Sequence, residues 1–256
     1  MSLLQKNILH LKKQKDILLV SHAVLGFPSI KLNEESIDEM IKVGVDIIEL
    51  QIPFSDPQAD GPFFTAANQK AIETGISIED CLQFAEKICK KHPDGNFVFM
   101  TYFNIPFKYG LESFIKRSEE IGVKGFIIPD LPFEESGEYE ATCKKYNLAP
   151  IFIVTPTSNE ERIKSISQKG EGFLYCQART GVTGTHTKFN LETEQYIERC
   201  KKNSSLPLAF GFGIQKKEDV DFLKEKVDIA ICCTQAVKVL AESGAKKMGE
   251  FLKSLR

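Results

Sequence analysis

Glu49 and Asp60 fall within one stretch, "IIELQIPFSDPQADGP", that runs from Ile47 to Pro62. Glu49 interrupts an apolar run of the kind that forms a buried strand. A carboxylate at the end of such a strand has two readings of equal weight. It could hold and pass a proton near neutral pH as a general acid and base, or it could simply pair with a basic neighbour. Asp60 precedes Gly61 and so fits a turn. It could also reach back over the strand end towards Glu49. Asp56, before Pro57, reads as a turn former. Pro53, Pro57 and Pro62 stiffen the segment and Gly61 gives it one permissive point.

Further along, two glycine-bearing segments suit an anion. "RTGVTGTHTKFN" (179–190) carries Gly181 and Gly184, and "GFGI" (211–214) carries Gly211 and Gly213. Such loops can aim backbone N–H groups at a phosphate beside a helix N-terminus, or can serve only as tight strand-to-helix turns. Tyr102, Tyr175 and Asp130 stand at or near other strand ends. The two tyrosines could clamp a flat ligand or could pack as ordinary rim residues.

Eight apolar runs of strand length could position these residues: 17–24, 46–52, 96–102, 125–131, 149–154, 172–177, 206–212 and 228–233. Most lack strict alternation, as parallel strands covered on both faces do. Helical patterns lie between them. One spans 33–44 with Asn33 as its expected cap. Another spans 77–92, where Ser77 and Asp80 have the spacing of a capping box. Others span 111–122, 133–147, 158–170, 191–203, 216–226 and 244–255, and residues 2–14 read as an extra helix before the first strand. Strictly alternating strands and helices without a linker predict one domain over 1–256, a (β/α)₈ TIM barrel. A doubly wound open sheet is the alternative, but no Gly-x-Gly-x-x-Gly follows the first strand. In such a barrel the loops after the strands carry function, and a phosphate site is frequently built after strands seven and eight.

The whole chain narrows the classes further. It has 256 residues, 42% apolar and 27% charged, with a net charge of −2. There is no basic patch for nucleic acid or an anionic membrane. The N-terminal residues lack the apolar core and cleavage site of a secretory leader, so a cytoplasmic chain is expected. Seven scattered cysteines without Cys-x-x-Cys spacing argue against a disulfide framework or zinc site. The four histidines show no metal-ligand spacing.

The Glu49–Pro62 motif resembles the signature of the tryptophan synthase alpha subunit family. "PDLPFEES", "APIFIV", "RTGVTG" and "GFGI" are similar to that family's other segments in the same order. The resemblance covers nearly the whole chain and implies a (β/α)₈ barrel with an extra N-terminal helix. It implies a lyase that cleaves indole-3-glycerol phosphate to indole and glyceraldehyde 3-phosphate. Glu49 matches the proton shuttle and Asp60 the carboxylate that holds the indole N–H. Tyr175 matches a residue near the shuttle, and Thr183 a lid residue that contacts Asp60. Tyr102 joins the substrate-binding set. Gly184, Phe212 and Gly213, with Cys233 and Thr234 after the last strand, match the phosphate side. Asp56, Pro57 and Asn104 match stretches facing a beta subunit. That partner would carry pyridoxal phosphate in a tetramer of two alpha and two beta chains, while this chain would need no cofactor.

Four positions depart from the family's pattern. Gln51 replaces the glycine after Glu-Leu, His22 stands for an aromatic residue in the first strand, and Phe27-Pro28 replaces Asp-Pro. Cys233 replaces a glycine of the phosphate site, where it is expected to resist a positive φ and to crowd the phosphate oxygens. These departures keep a second reading open, a catalytically weakened alpha subunit that mainly activates its beta subunit. A third is another phosphate-binding barrel enzyme.

Overall fold

The computed structural model describes residues 1–177, 191–211 and 213–256. Its strands are β1 (Leu18–Val24), β2 (Ile47–Gln51), β3 (Phe97–Met100), β4 (Gly125–Ile127), β5 (Ala149–Ile151), β6 (Ile153–Val154), β7 (Leu174–Gln177), β8 (Leu208–Gly211) and β9 (Ile229–Ile231). Every pairing is parallel, in the order β5-β4-β3-β2-β1-β9-β8-β7-β6. The expected fifth strand is split at Phe152: β5 pairs with β4, and β6 pairs with β7. The two ends of the sheet are thus joined by a single residue, and the nine segments make the expected eight-fold TIM barrel.

Alternation along each strand sorts side chains between two layers. On β2, Ile48 and Leu50 pack outward among the helices, whereas Ile47 joins the barrel interior. Glu49 and Gln51 share the inward parity of Ile47. The interior is filled by Leu18, Val20, Ile47, Val98, Met100, Ile127, Ile151, Ala209 and Ile229. Leu4 and Ile8 of the N-terminal helix Leu3–Leu11 join that cluster with no exposure and seal the end where the strands begin. Burying each is worth about 2 kcal/mol. The opposite end, where the strands finish, is left to polar residues.

The helices follow the sequence with instructive exceptions. Ser77 and Asp80 form the predicted capping box. Asn33 is not a cap: the helix begins earlier, at Ile30–Lys42, with Ser29 as its cap. Asn33 is fully buried and braces the turn after β1. It accepts from Gly26 N at 2.8 Å and donates to Val24 O at 3.0 Å and Phe27 O at 2.9 Å. Residues 133–147 hold a short 3₁₀ turn, Phe133–Glu135, and then the helix Gly137–Lys145. The last helix runs Thr234–Ser254 with a break at Gly244. Two helices were not expected, Asn104–Tyr109 and Pro62–Glu73. The second starts with Pro62 at its first position, where a proline loses no needed N–H. Among the described residues no helix is long and apolar enough to cross a membrane.

Candidate active site

Register brings the polar residues together. β1 and β2 align His22 with Glu49 and Val24 with Gln51, all at the strand ends. His22, Glu49 and Gln51 are 3%, 3% and 0% exposed, so every polar atom there needs a partner inside the protein. His22 Nδ1 lies 2.7 Å from Glu49 Oε2. His22 Nε2 lies 2.8 Å from Gln51 Oε1, and Gln51 Nε2 donates to Asp60 Oδ2 at 2.7 Å. Four side chains therefore form one hydrogen-bonded path joining the two carboxylates. The basic neighbour weighed for Glu49 exists, and it is a titratable imidazole.

Asp60 is held from the other side by the helix Pro62–Glu73. Asn68 donates to Asp60 Oδ2 at 3.3 Å and accepts from Phe54 N at 3.0 Å, which pins both ends of the loop. Tyr102 accepts from Ala59 N at 3.1 Å, and its ring stacks on Phe54 at 5.3 Å. Phe64 packs its ring 4.9 Å from that of His22. Asp60 thus reaches back over the mouth. Burial raises its pKa, and the bonds from Gln51 and Asn68, the charge of His22 and the nearby Tyr102 phenol oppose that rise. Burial also disfavours charge on His22, but Glu49, Gln51 and Asp60 outweigh it, and the imidazole pKa is raised.

Within Glu49, Oε2 is committed to His22, with Cys233 Sγ 3.6 Å away. Oε1 is buried without a hydrogen-bond partner among the described residues. Tyr175 lies near Glu49, whose charge adds to burial in raising the phenol's pKa.

Around the barrel, β9 lies beside β1 and β8 beside β9. The phosphate-side candidates stand there. Gly213 has φ +64, a left-handed backbone that glycine adopts without cost. Cys233 precedes the helix Thr234–Ser254, which starts at Thr234. The positive φ expected at Cys233 is corrected. Its φ is −102°, so the position asks for no left-handed backbone, and its thiol lies 3.6 Å from Glu49 Oε2. Thr183, Gly184 and Phe212 lie outside the described residues.

Of the three candidates for a partner surface, Asp56 and Asn104 are exposed. Pro57 is buried, because the loop folds back so that Pro57 O accepts from Asp60 N at 2.9 Å. Asp56 accepts from Ser55 Oγ at 2.6 Å, a local turn contact. Asp130 accepts from Phe103 N at 2.8 Å and so braces the start of the helix Asn104–Tyr109.

His22, Glu49 and Cys233 have ligand atoms within 4.8 Å of one another. Two ligands around a tetrahedral zinc would stand about 3.3 Å apart. The 2.7 Å between His22 and Glu49 is instead that of a direct hydrogen bond.

Asn68 and the contact of His22 with Gln51 were not foreseen from the sequence. Asn68 was marked only by Pro62, which announces the helix that carries it. His22 and Gln51 were visible as oddities, but their contact depends on strand register.

The fold and site define a TIM barrel with two buried carboxylates at the end where the strands finish, the end that carries the active site in enzymes of this fold. Comparison with known proteins makes this specific. The family model for the tryptophan synthase alpha chain matches residues 8–254. A tryptophan synthase alpha chain from Syntrophotalea carbinolica is 46% identical over 254 residues, covering 99% of this chain and 100% of the relative. A solved structure from Aquifex aeolicus superposes with a TM-score of 0.92 at 34% identity, covering 100% of this chain and 98% of that one. A structure of Mycobacterium tuberculosis tryptophan synthase gives 0.91 at 27% identity, covering 99% and 96%. The chain belongs to the tryptophan synthase alpha chain family. It is a carbon–carbon lyase of tryptophan biosynthesis, cleaving indole-3-glycerol phosphate to indole and glyceraldehyde 3-phosphate.

Proposed function

We propose that Glu49 shuttles the proton of this cleavage and that Asp60 anchors the indole ring. The observation that carries the reading is the pair of buried carboxylates in different environments at one barrel mouth. Among the described residues Glu49 has an uncommitted oxygen, and Asp60 is fixed by two amide donors. Cleavage needs a proton placed on indole carbon 3 and a proton removed from the side-chain hydroxyl. The carbon–carbon bond breaks as the hydroxyl oxygen becomes the aldehyde, and its electron pair returns to the ring. One proton is delivered and one recovered, so a single carboxylate completes the cycle. Asp60 accepts the indole N–H and stabilises positive charge on the ring.

On this reading the phosphate sits across the mouth, at Gly213 and the helix terminus at Thr234, with Cys233 between phosphate and shuttle. Neighbouring strands β8, β9 and β1 support that order. Thr183, Gly184 and Phe212 enter through the family resemblance, as lid and phosphate-side residues. Tyr102 and Tyr175 border the two carboxylates.

A beta subunit is the partner, in a tetramer of two chains of each kind, and pyridoxal phosphate belongs to it rather than to this chain. Exposed Asp56 and Asn104 support a docking face, as do Phe107, 68% exposed, and Tyr109, 38% exposed, on the helix that Asn104 begins. We read the chain as one barrel domain. Seven free cysteines support the cytoplasm as its compartment.

The test is indole release from indole-3-glycerol phosphate, with and without the beta subunit. Wild type should turn over, while Glu49→Gln and Asp60→Asn should be strongly slowed. A wild type as slow as Glu49→Gln that still stimulates the beta subunit would establish the activator reading instead.

A further inference from the structure

Gln51 and His22 stand where the resembled motif has a glycine and an aromatic residue, yet they touch each other and nothing else explains both. The chemistry of their four-member path is constrained end to end. Asp60 Oδ2 receives Gln51 Nε2 at 2.7 Å and Asn68 Nδ2 at 3.3 Å, so it acts as an acceptor. The amide NH₂ of Gln51 therefore faces Asp60, and its oxygen faces His22. That oxygen can only accept, so His22 Nε2 carries a hydrogen at 2.8 Å from it. Nδ1, 2.7 Å from Glu49 Oε2, then shares one proton with the carboxylate. Whether the proton rests on nitrogen or oxygen, the pair holds the same number.

We propose that Gln51 and His22 are positioning residues that act through Glu49: Gln51 fixes His22 as the Nε2–H form, and His22 keeps one exchangeable proton beside Glu49 for the cleavage. The proposal rests on the reading of Glu49 as the shuttle. It gives the two departures a common purpose. Gln51 alone would leave an unpaired amide oxygen in a site with no exposure, and His22 alone would leave an unpaired N–H. Together they carry the state of Asp60 to Glu49 through three hydrogen bonds. Among the described residues, the charged and titratable groups around His22 are Glu49 on β2, Asp60 beyond Gln51, the Cys233 thiol 3.6 Å from Glu49 Oε2, and the Tyr175 phenol near Glu49. Burial and then the Glu49 charge push that thiol's pKa far up, so it adds no competing charge.

The first test reads the proton directly. The whole chain is labelled with ¹⁵N-histidine, and its four rings are followed by long-range proton–nitrogen correlation from pH 6 to 9. The signal missing from His22→Phe identifies His22. In wild type, Nε2 of His22 should remain an N–H throughout, and Nδ1 should report the shared proton. In Gln51→Leu the Nε2 preference should be lost. A His22 that is unprotonated at Nε2 in wild type, or whose pattern is the same in Gln51→Leu, overturns the proposal.

The second test is a double-mutant cycle on indole formation with His22→Phe, Gln51→Gly and the pair. Each single change should lower kcat about tenfold with little change in KM. The double variant should stay near the single variants instead of falling about a hundredfold, because the second change removes a group already stranded by the first. Independent, multiplying losses would contradict the strut. Glu49→Gln separates the two layers of the argument. If that variant keeps wild-type turnover, the shuttle assignment fails and this role fails with it, whereas the nitrogen spectra still decide whether the strut exists.

Discussion

Asp46 and Glu49 lie three residues apart on one run of chain, and both carboxylates are almost entirely buried. Their surroundings are opposite. Asp46 sits where β2 begins and is bound by two permanent cations, Lys15 and Arg256. It also accepts from Leu19 N at 2.8 Å. Its backbone carbonyl takes Asn96 Nδ2 at 3.0 Å, and Asn96 Oδ1 takes Asn7 at 2.8 Å and Lys124 at 3.2 Å. Both oxygens of Asp46 are committed, and the cluster ties residues near the two chain ends to the same strand. Glu49, inside the mouth, has among the described residues a titratable imidazole as its only short partner and one oxygen left over. Burial by itself therefore does not mark a catalytic carboxylate. If Glu49 is the shuttle as proposed, the kind of partner does: basic side chains hold a charge in place, whereas an exchangeable proton leaves chemistry to be done.

Removing each carboxylate's charge tests this contrast most strongly. Glu49→Gln should lower kcat on the order of a thousandfold, about 4 kcal/mol of transition-state stabilisation, with the fold intact. Asp46→Asn should do the reverse. It strands two cations and should cost about 3 kcal/mol in urea unfolding, while folded protein cleaves substrate at the normal rate. A loss of turnover in folded Asp46→Asn would mean that the two ends of the barrel are coupled. Arg256→Ala leaves Asp46 with Lys15 and the Leu19 amide, and Arg256 is partly exposed, so about 1 kcal/mol is expected in the same assay.

Much of the mouth was legible because its chemistry is local in sequence. The run from Glu49 to Pro62 carries both carboxylates and the prolines that shape the loop between them. The Ser77–Asp80 cap was legible for the same reason. The Asp46 cluster was not, since Arg256 lies at the far end of the chain and no spacing rule connects them. His22 meeting Glu49 depends on which residues of β1 and β2 face each other, and that register is set by the whole barrel. Asn33 misled because a buried asparagine bracing a turn has the same sequence mark as a helix cap. Cys233 misled because a glycine in a related motif was taken to need a positive φ, and this backbone does not use one.

The smallest expected effect is a slope with pH. The pKa of His22 is raised on folding, against its burial, by Glu49, Gln51 and Asp60. A raised folded-state pKa means that the folded chain binds the proton more tightly than the unfolded one. The stabilisation is fully present below the unfolded value of about 6.5 and is lost as pH rises through the higher folded value. The difference in unfolding free energy between wild type and His22→Phe should therefore shrink as pH is raised from 6 to 9.

The most direct test of the central claim measures Glu49→Gln twice, for indole release in a single turnover and for unfolding in urea. The account predicts cleavage slower on the order of a thousandfold, with an unfolding free energy within about 1 kcal/mol of wild type. Wild-type cleavage, or a stability loss as large as that of Asp46→Asn, would show that Glu49 is a second structural carboxylate and not the shuttle.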